Sequence, residues 1–127
     1  MAETPPRALK DRIDAIEEAY EFMLGYAAQG HTAEPSGPGG VRDHLQRMSE
    51  ALDGLEEAAA ALAPGDEDPW PPFLEVVAAD AEKARAVTRF VLGQATIGSQ
   101  TVDNLNASLH VRALLTDLFL LDEAAGG

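Results

Sequence analysis

Apolar residues in this chain recur at alternating steps of three and four, the spacing that keeps side chains on one side of an α-helix. The first stripe reads Leu9, Ile13, Ile16, Tyr20, Met23, Ala27 and predicts a helix over about residues 5–29. Thr4 stands where a cap belongs, Pro5 suits the first helical position, and Gly30 is a C-terminal stop. Phe22 and Tyr26, four apart, widen the apolar face. A second stripe, Val41, Leu45, Met48, Leu52, Leu55, Ala59, Leu62, predicts one unbroken helix over about 41–62. In such a helix Gly54 would cost about 1 kcal/mol relative to alanine. The third stripe, Leu74, Val77, Ala81, Ala84, Thr88, Val91, predicts a helix over about 72–92, with a close neighbour at the small residues 81 and 84 and an apolar face widened by Phe73, Val76, Val87 and Phe90. The fourth helix, about 99–123, changes character along its length. Ser99, Gln100, Thr101, Asn104, Asn106 and Ser108 make its first half polar, whereas residues 111–121 are apolar nearly all round.

The breaks between these stripes are rich in proline and glycine: HTAEPSGPGG at 31–40, a mobile loop long enough to cross the end of a helix pair, and APGDEDPWPP at 63–72. Four helices of about 21–25 residues, roughly 31–38 Å long, predict an all-α, up-down four-helix bundle forming a single domain over 1–127. A helix without a polar face is buried on several sides. The expectation is therefore that Leu114, Leu118 and Leu121 also meet a second subunit, and that the protein is a homodimer.

Charge narrows the partners. Asp and Glu number 22 against 9 Lys and Arg, a net charge of −13. That field repels a phosphate backbone and an anionic lipid surface, which argues against nucleic-acid and membrane partners. A hydrophobic content of 46% argues against disorder. With no cysteine, disulfides, thiol catalysis and cysteine-held metals are excluded. The opening residues Met-Ala-Glu-Thr-Pro-Pro lack the basic and apolar regions of a signal peptide, and no apolar run nears the roughly 20 residues needed to span a bilayer. The expected setting is the cytoplasm. Seven Arg against two Lys, with abundant Ala and Gly, is the composition associated with GC-rich bacterial genomes.

Chemistry-bearing motifs are sparse. A di-iron bundle needs Glu-x-x-His so that both ligands project inward one turn apart, yet the residues three before His31, His44 and His110 are Ala28, Val41 and Ala107. Glu17 and Glu21 lie off the apolar seam and read as a solvated face. The sequence contains no GxxxxGK[ST], HExxH or GxSxG. Asn106-Ala107-Ser108 fits the glycosylation pattern but falls mid-helix. No catalytic residue, metal ligand or cofactor is assigned.

Four constellations remain. His44 followed one turn later by Arg47 resembles the exposed His and basic residue of histidine phosphotransfer domains, which are also acidic four-helix bundles; the resemblance implies a phosphoryl group held by Arg47. It departs in having Arg for Lys, Met48 where glycine follows, and a His in the first turn of its helix. Asp103, Asn104, Ser108 and His110 lie in the polar half of the fourth helix, where they could line a small-ligand pocket, form a register-fixing network or face water. Trp70, held between prolines, is an anchor for its own core or for a partner. Lys83, Arg85 and Arg89 on the third helix face the acidic load of Glu17, Glu18, Glu21, Glu56 and Glu57, predicting ion pairs between neighbouring helices. The resulting expectation is a non-enzymatic accessory, adaptor or regulatory protein that binds itself and another protein through helix faces and Trp70. A small-molecule-binding protein or minor enzyme is the alternative, and phosphotransfer the second.

Overall fold

The four stripes wind into six helices: α1 (Pro5–Ala28), α2 (Val41–Leu52), α3 (Leu55–Ala60), α4 (Trp70–Leu92), α5 (Ser99–Ala107) and α6 (His110–Ala124). The computed structural model describes residues 5–126, with side chains from Leu9 onward, so the cap expected of Thr4 lies outside the described residues. The protein is all-helical, with no strand among the described residues.

The segment expected to be one helix over 41–62 is two, and tertiary partners explain the break. Arg12 of α1 donates to the carbonyls of Ala51 (2.9 Å) and Asp53, and Arg85 of α4 donates to that of Leu52 at 3.0 Å. Carbonyls that a continuous helix would give to N–H groups four residues on are satisfied by guanidinium groups instead. The chain then turns through Gly54 at φ 76°, a left-handed conformation that costs a residue with a Cβ about 1–2 kcal/mol. A Cβ there would find Arg12 and Glu57 at 3.5 Å, which is ordinary contact, so backbone strain decides the outcome. Gly54→Ala is expected to lower stability by about 1 kcal/mol, opposite in sign to its effect in an unbroken helix. Urea denaturation of the two proteins reads that sign directly.

The last segment divides too. Leu109 takes φ 66° between α5 and α6, and the turn resets the register. Ser99, Val102 and Leu105 are the buried residues of α5; Val111, Leu114, Leu115, Leu118 and Leu121 are those of α6. Asn104 and Ser108, which a straight helix would align with Val111 and Leu115, are turned outward and exposed. The start of α4 lies two residues earlier than its stripe suggests. Pro71 and Pro72 fall in its first turn, where an N–H has no helical acceptor to lose.

Packing joins these helices in a closed cycle. α1 lies against α2 and α3 on one side and α5 and α6 on the other, and α4 touches the same two pairs from across the core. α1 runs antiparallel to α2 and to α5. Along α1 and α2, Arg12 reaches Asp53, Glu18 pairs with Arg47, and Phe22 stacks on His44. Along α1 and α5, Asn106 donates to the Met23 carbonyl (3.3 Å), while the Ser99 hydroxyl donates to that of Tyr26 (2.6 Å). Leu9, Ile16, Met23, Leu45, Met48, Leu52, Leu55, Ala81 and Ala84 are fully enclosed.

The 31–40 segment, expected to be a mobile loop, is pinned. Glu34 accepts from Arg42 at 2.9 and 3.0 Å and from the Ile97 N–H at 3.1 Å. Arg42 also donates to the carbonyls of Leu92 and Gln94 (2.9 and 3.0 Å). The backbone of His31 exchanges hydrogen bonds with Ser99, and the Tyr26 hydroxyl donates to the Ile97 carbonyl at 2.6 Å. One end of the molecule is thus closed by a polar network joining α1, α2, α4 and α5.

Candidate functional site

An exposed apolar surface follows from the geometry of α4. Its inner stripe, Val77, Ala81, Ala84, Thr88 and Val91, is buried. Phe73, Val76, Asp80, Lys83, Val87 and Phe90 form a second stripe, also at steps of three and four, displaced round the same helix. Val76 is 47% and Phe90 71% exposed, and Leu120 of the adjacent α6 is 54% exposed. Two open hollows mark the ends of this face. One, about 310 Å³, is lined by Pro69, Trp70, Phe73, Leu120 and Ala124. The other, about 350 Å³, lies among Val87, Phe90, Gln94, Thr101, Asn104 and Ser108.

Between the hollows, α6 brings Asp117 to Asp80. One carboxylate oxygen of Asp117 is buried without a donor, and burial, then the hydrogen bond and charge of Asp80, push its carboxyl up to about 7. A carboxyl raised in this way contributes stability that is present below the ordinary carboxylate range and lost as pH rises through about 7. Lys83, one turn along α4, makes no ion pair among the described residues. The other cations of α4 are used as expected: Arg85 meets Glu56 at 3.2 Å, and Arg89 meets Asp53 at 2.9 Å.

The residues singled out by sequence are only partly gathered. Asn104 and Ser108 line the second hollow; Asp103 is exposed on α5, and His110 opens α6 beyond the Leu109 turn. Ser108 donates to the Leu105 carbonyl at 2.6 Å, so its hydroxyl closes the end of α5. Asn106 donates to the Met23 carbonyl, its amide oxygen being buried without a partner. Trp70 is half-buried and lines both the apolar hollow and a groove against the acidic turn 64–68. Leu114, Leu118 and Leu121 are 0% exposed inside this chain's own core. They cannot touch a second subunit themselves, and α6 offers Phe119 and Leu120 to solvent instead.

His44 stacks on Phe22 with ring centroids 3.9 Å apart. Burial, and next the charge of Arg47, hold its imidazole below the usual histidine range against the opposing pull of Glu18 and Asp43. Arg47 points to Glu18 at 3.7 Å, a carboxylate that would repel a phosphoryl oxygen at the same guanidinium.

Sequence periodicity displays the outer stripe of α4 but not its exposure, because apolar positions on both stripes look alike until the neighbours of the helix are known. Among the described residues no group of three or more His, Asp and Glu is placed to hold a metal ion, and no helix is long and apolar enough to cross a membrane. No protein-family model, curated protein or solved structure matches this chain.

Proposed function

We propose that this chain is a non-enzymatic accessory or adaptor protein, built as an up-down bundle of four rods (α1, α2–α3, α4 and α5–α6), whose working surface is the outer face of α4 and α6. The observation that carries this reading is the exposure of Phe90, Leu120 and Val76 along one face, bordered by an apolar hollow at the Trp70 end and a hollow of mixed lining at the Phe90 end. Contiguous exposed apolar surface is costly to leave wet and marks interaction sites. Aromatic side chains at the rim of a hollow are the usual anchors of such contacts.

The small-molecule reading has weaker support, since only Asn104 and Ser108 of its four residues reach a common hollow. Phosphotransfer at His44 is weaker still, given the stacking on Phe22 and the engagement of Arg47 by Glu18.

Affinity capture from a lysate of the source cells tests the proposal. Wild type and the Phe90→Asp/Leu120→Asp variant are compared at equal folded concentration, with helicity checked by circular dichroism. Proteins retained by the wild type and lost by the variant are the expected result. Identical sets on both would overturn the assignment of this face.

A further inference from the structure

The outer stripe of α4 reads the same in both directions. From either end the order is Phe, Val, charge, charge, Val, Phe: Phe73, Val76, Asp80, Lys83, Val87, Phe90. Its midpoint falls between an acid and a base. A surface repeated on two subunits about a two-fold axis must be complementary to itself. Two copies of this stripe laid antiparallel meet that condition at every position, with Phe73 opposite Phe90, Val76 opposite Val87 and Asp80 opposite Lys83. Laid parallel, they would set acid against acid and base against base.

Three features of the protomer fit the antiparallel arrangement. The stripe keeps the three-four spacing of a helix-pairing seam, although the chain's own core uses the other stripe of α4. Phe90, 71% exposed, lies at the opposite end of the stripe from the hollow formed by Pro69, Trp70, Phe73, Leu120 and Ala124. Antiparallel pairing brings the partner's Phe90 to that hollow, which at about 310 Å³ exceeds the roughly 150 Å³ that accommodates a benzene ring. Lastly, the carboxyls of Asp80 and Asp117 lie together without a cation, while Lys83 has no carboxylate. The same pairing sets the partner's Lys83 beside Asp80, at the edge of this acidic pair.

We propose that the protein is a homodimer in which α4 packs antiparallel on α4 of a second copy, Phe90 of each chain filling the Trp70 hollow of the other and Lys83 of each pairing with Asp80 of the other. This rests on reading the α4–α6 face as the interaction surface and names its occupant. The net charge of −13 on each copy opposes association at long range. At physiological salt that repulsion is screened beyond about 8 Å, whereas contact pairs are screened less.

Sedimentation at roughly tens of micromolar, a concentration suited to micromolar dissociation constants, is the first measurement. The wild type is expected to be dimeric. Phe90→Asp and Lys83→Glu are each expected to weaken the dimer by about tenfold or more, whereas Leu24→Asp, which alters an exposed leucine on α1, leaves it unchanged. The exchange Asp80→Lys/Lys83→Asp restores the pairs with their signs reversed and is expected to recover much of the association lost in Lys83→Glu. Because the chain has no cysteine, register can be read by disulfide trapping. A mixture of Val76→Cys and Val87→Cys chains forms a covalent dimer, and neither chain alone does so.

A monomeric wild type, a dimer indifferent to Phe90→Asp and Lys83→Glu, or trapping of Val76→Cys with itself would each overturn the proposal. If the wild type is monomeric but the Phe90→Asp/Leu120→Asp variant still loses captured proteins, only the occupant is wrong and the function proposed for the face stands.

Discussion

Replacing Leu118 by alanine is expected to cost about 3 kcal/mol of folding stability, within the roughly 2–5 kcal/mol range for truncating an enclosed leucine, and to leave self-association unchanged. Leu118 is 0% exposed, as are Leu114 and Leu121 one turn to either side of it. Its helix packs against α4, α1 and α5 at once, so the side chain is surrounded by its own protomer. Truncation removes buried methyl groups and leaves a cavity that rigid helices close only in part. None of the lost contacts belongs to a second copy. Phe90→Asp should behave in the opposite way, with little change in protomer stability and a large change in association. Guanidinium denaturation at one fixed protein concentration measures the first quantity, because association itself shifts apparent stability; sedimentation of the folded proteins measures the second. A Leu118→Ala protein that kept its stability to within about 1 kcal/mol but fell apart into monomers would return the interface to the apolar end of α6.

That contrast marks how far the sequence could be read. Apolar periodicity placed α1 and α4 to within two residues and identified Leu9, Ile13, Ile16, Met23, Val77, Ala81 and Ala84 as core. Periodicity reports a local preference that packing then rewards, so it succeeds wherever a helix lies straight along its neighbours. It missed the two breaks for different reasons. Gly54 was visible as a weak point, but the break is completed by Arg12 and Arg85, which arrive from distant segments to take the last carbonyls of α2. Leu109 carries no local signal, since leucine has no preference for the left-handed conformation it adopts. The all-apolar second half of the last segment, expected to be buried on several sides, is buried on one face only, through Val111, Leu114, Leu115, Leu118 and Leu121, while Phe119 and Leu120 stay exposed. The Leu109 turn lets α6 bury that face within its own chain. The outward turn of Asn104 and Ser108 has the same cause, which is why residues that look like a pocket on a straight helix do not assemble into one. The charge pairs between helices were legible in type from the opposed loads of α4 and the glutamates of α1 and α3, and Arg85–Glu56 is one of them. The Glu34–Arg42 hub was not legible, because a proline- and glycine-rich loop gives no sign of which of its side chains will find a partner.

Arg42→Ala is expected to cost about 2–3 kcal/mol, the order of one or two charge-assisted hydrogen bonds removed with their partners left behind. The guanidinium joins three segments at this end of the molecule. It holds both oxygens of Glu34 and the carbonyls of Leu92 and Gln94, while Glu34 in turn receives the Ile97 N–H. With side-chain exposures of 39% and 21% for Arg42 and Glu34, the pair is shielded enough for its geometry to count and wet enough for water to replace part of what is lost. The hydrogen bond from Arg42 holds the Glu34 carboxyl below its ordinary value against the opposing effect of burial, and the Ile97 N–H and the Arg42 charge act in the same direction. A folded carboxyl depressed in this way adds stability that is fully present above its unfolded pKa, near 4.5, and is lost as pH falls through the lower folded value. Wild type should therefore lose stability below about pH 4.5 more steeply than either Arg42→Ala or Glu34→Gln. The comparison is made as a difference between proteins because acid also relieves the self-repulsion of a chain carrying −13, a contribution that all three share. Parallel stability curves for wild type and Glu34→Gln from pH 6 down to about 3 would show that the hub contributes nothing through ionisation, and the loss in Arg42→Ala would then have to come from the Leu92 and Gln94 carbonyls alone.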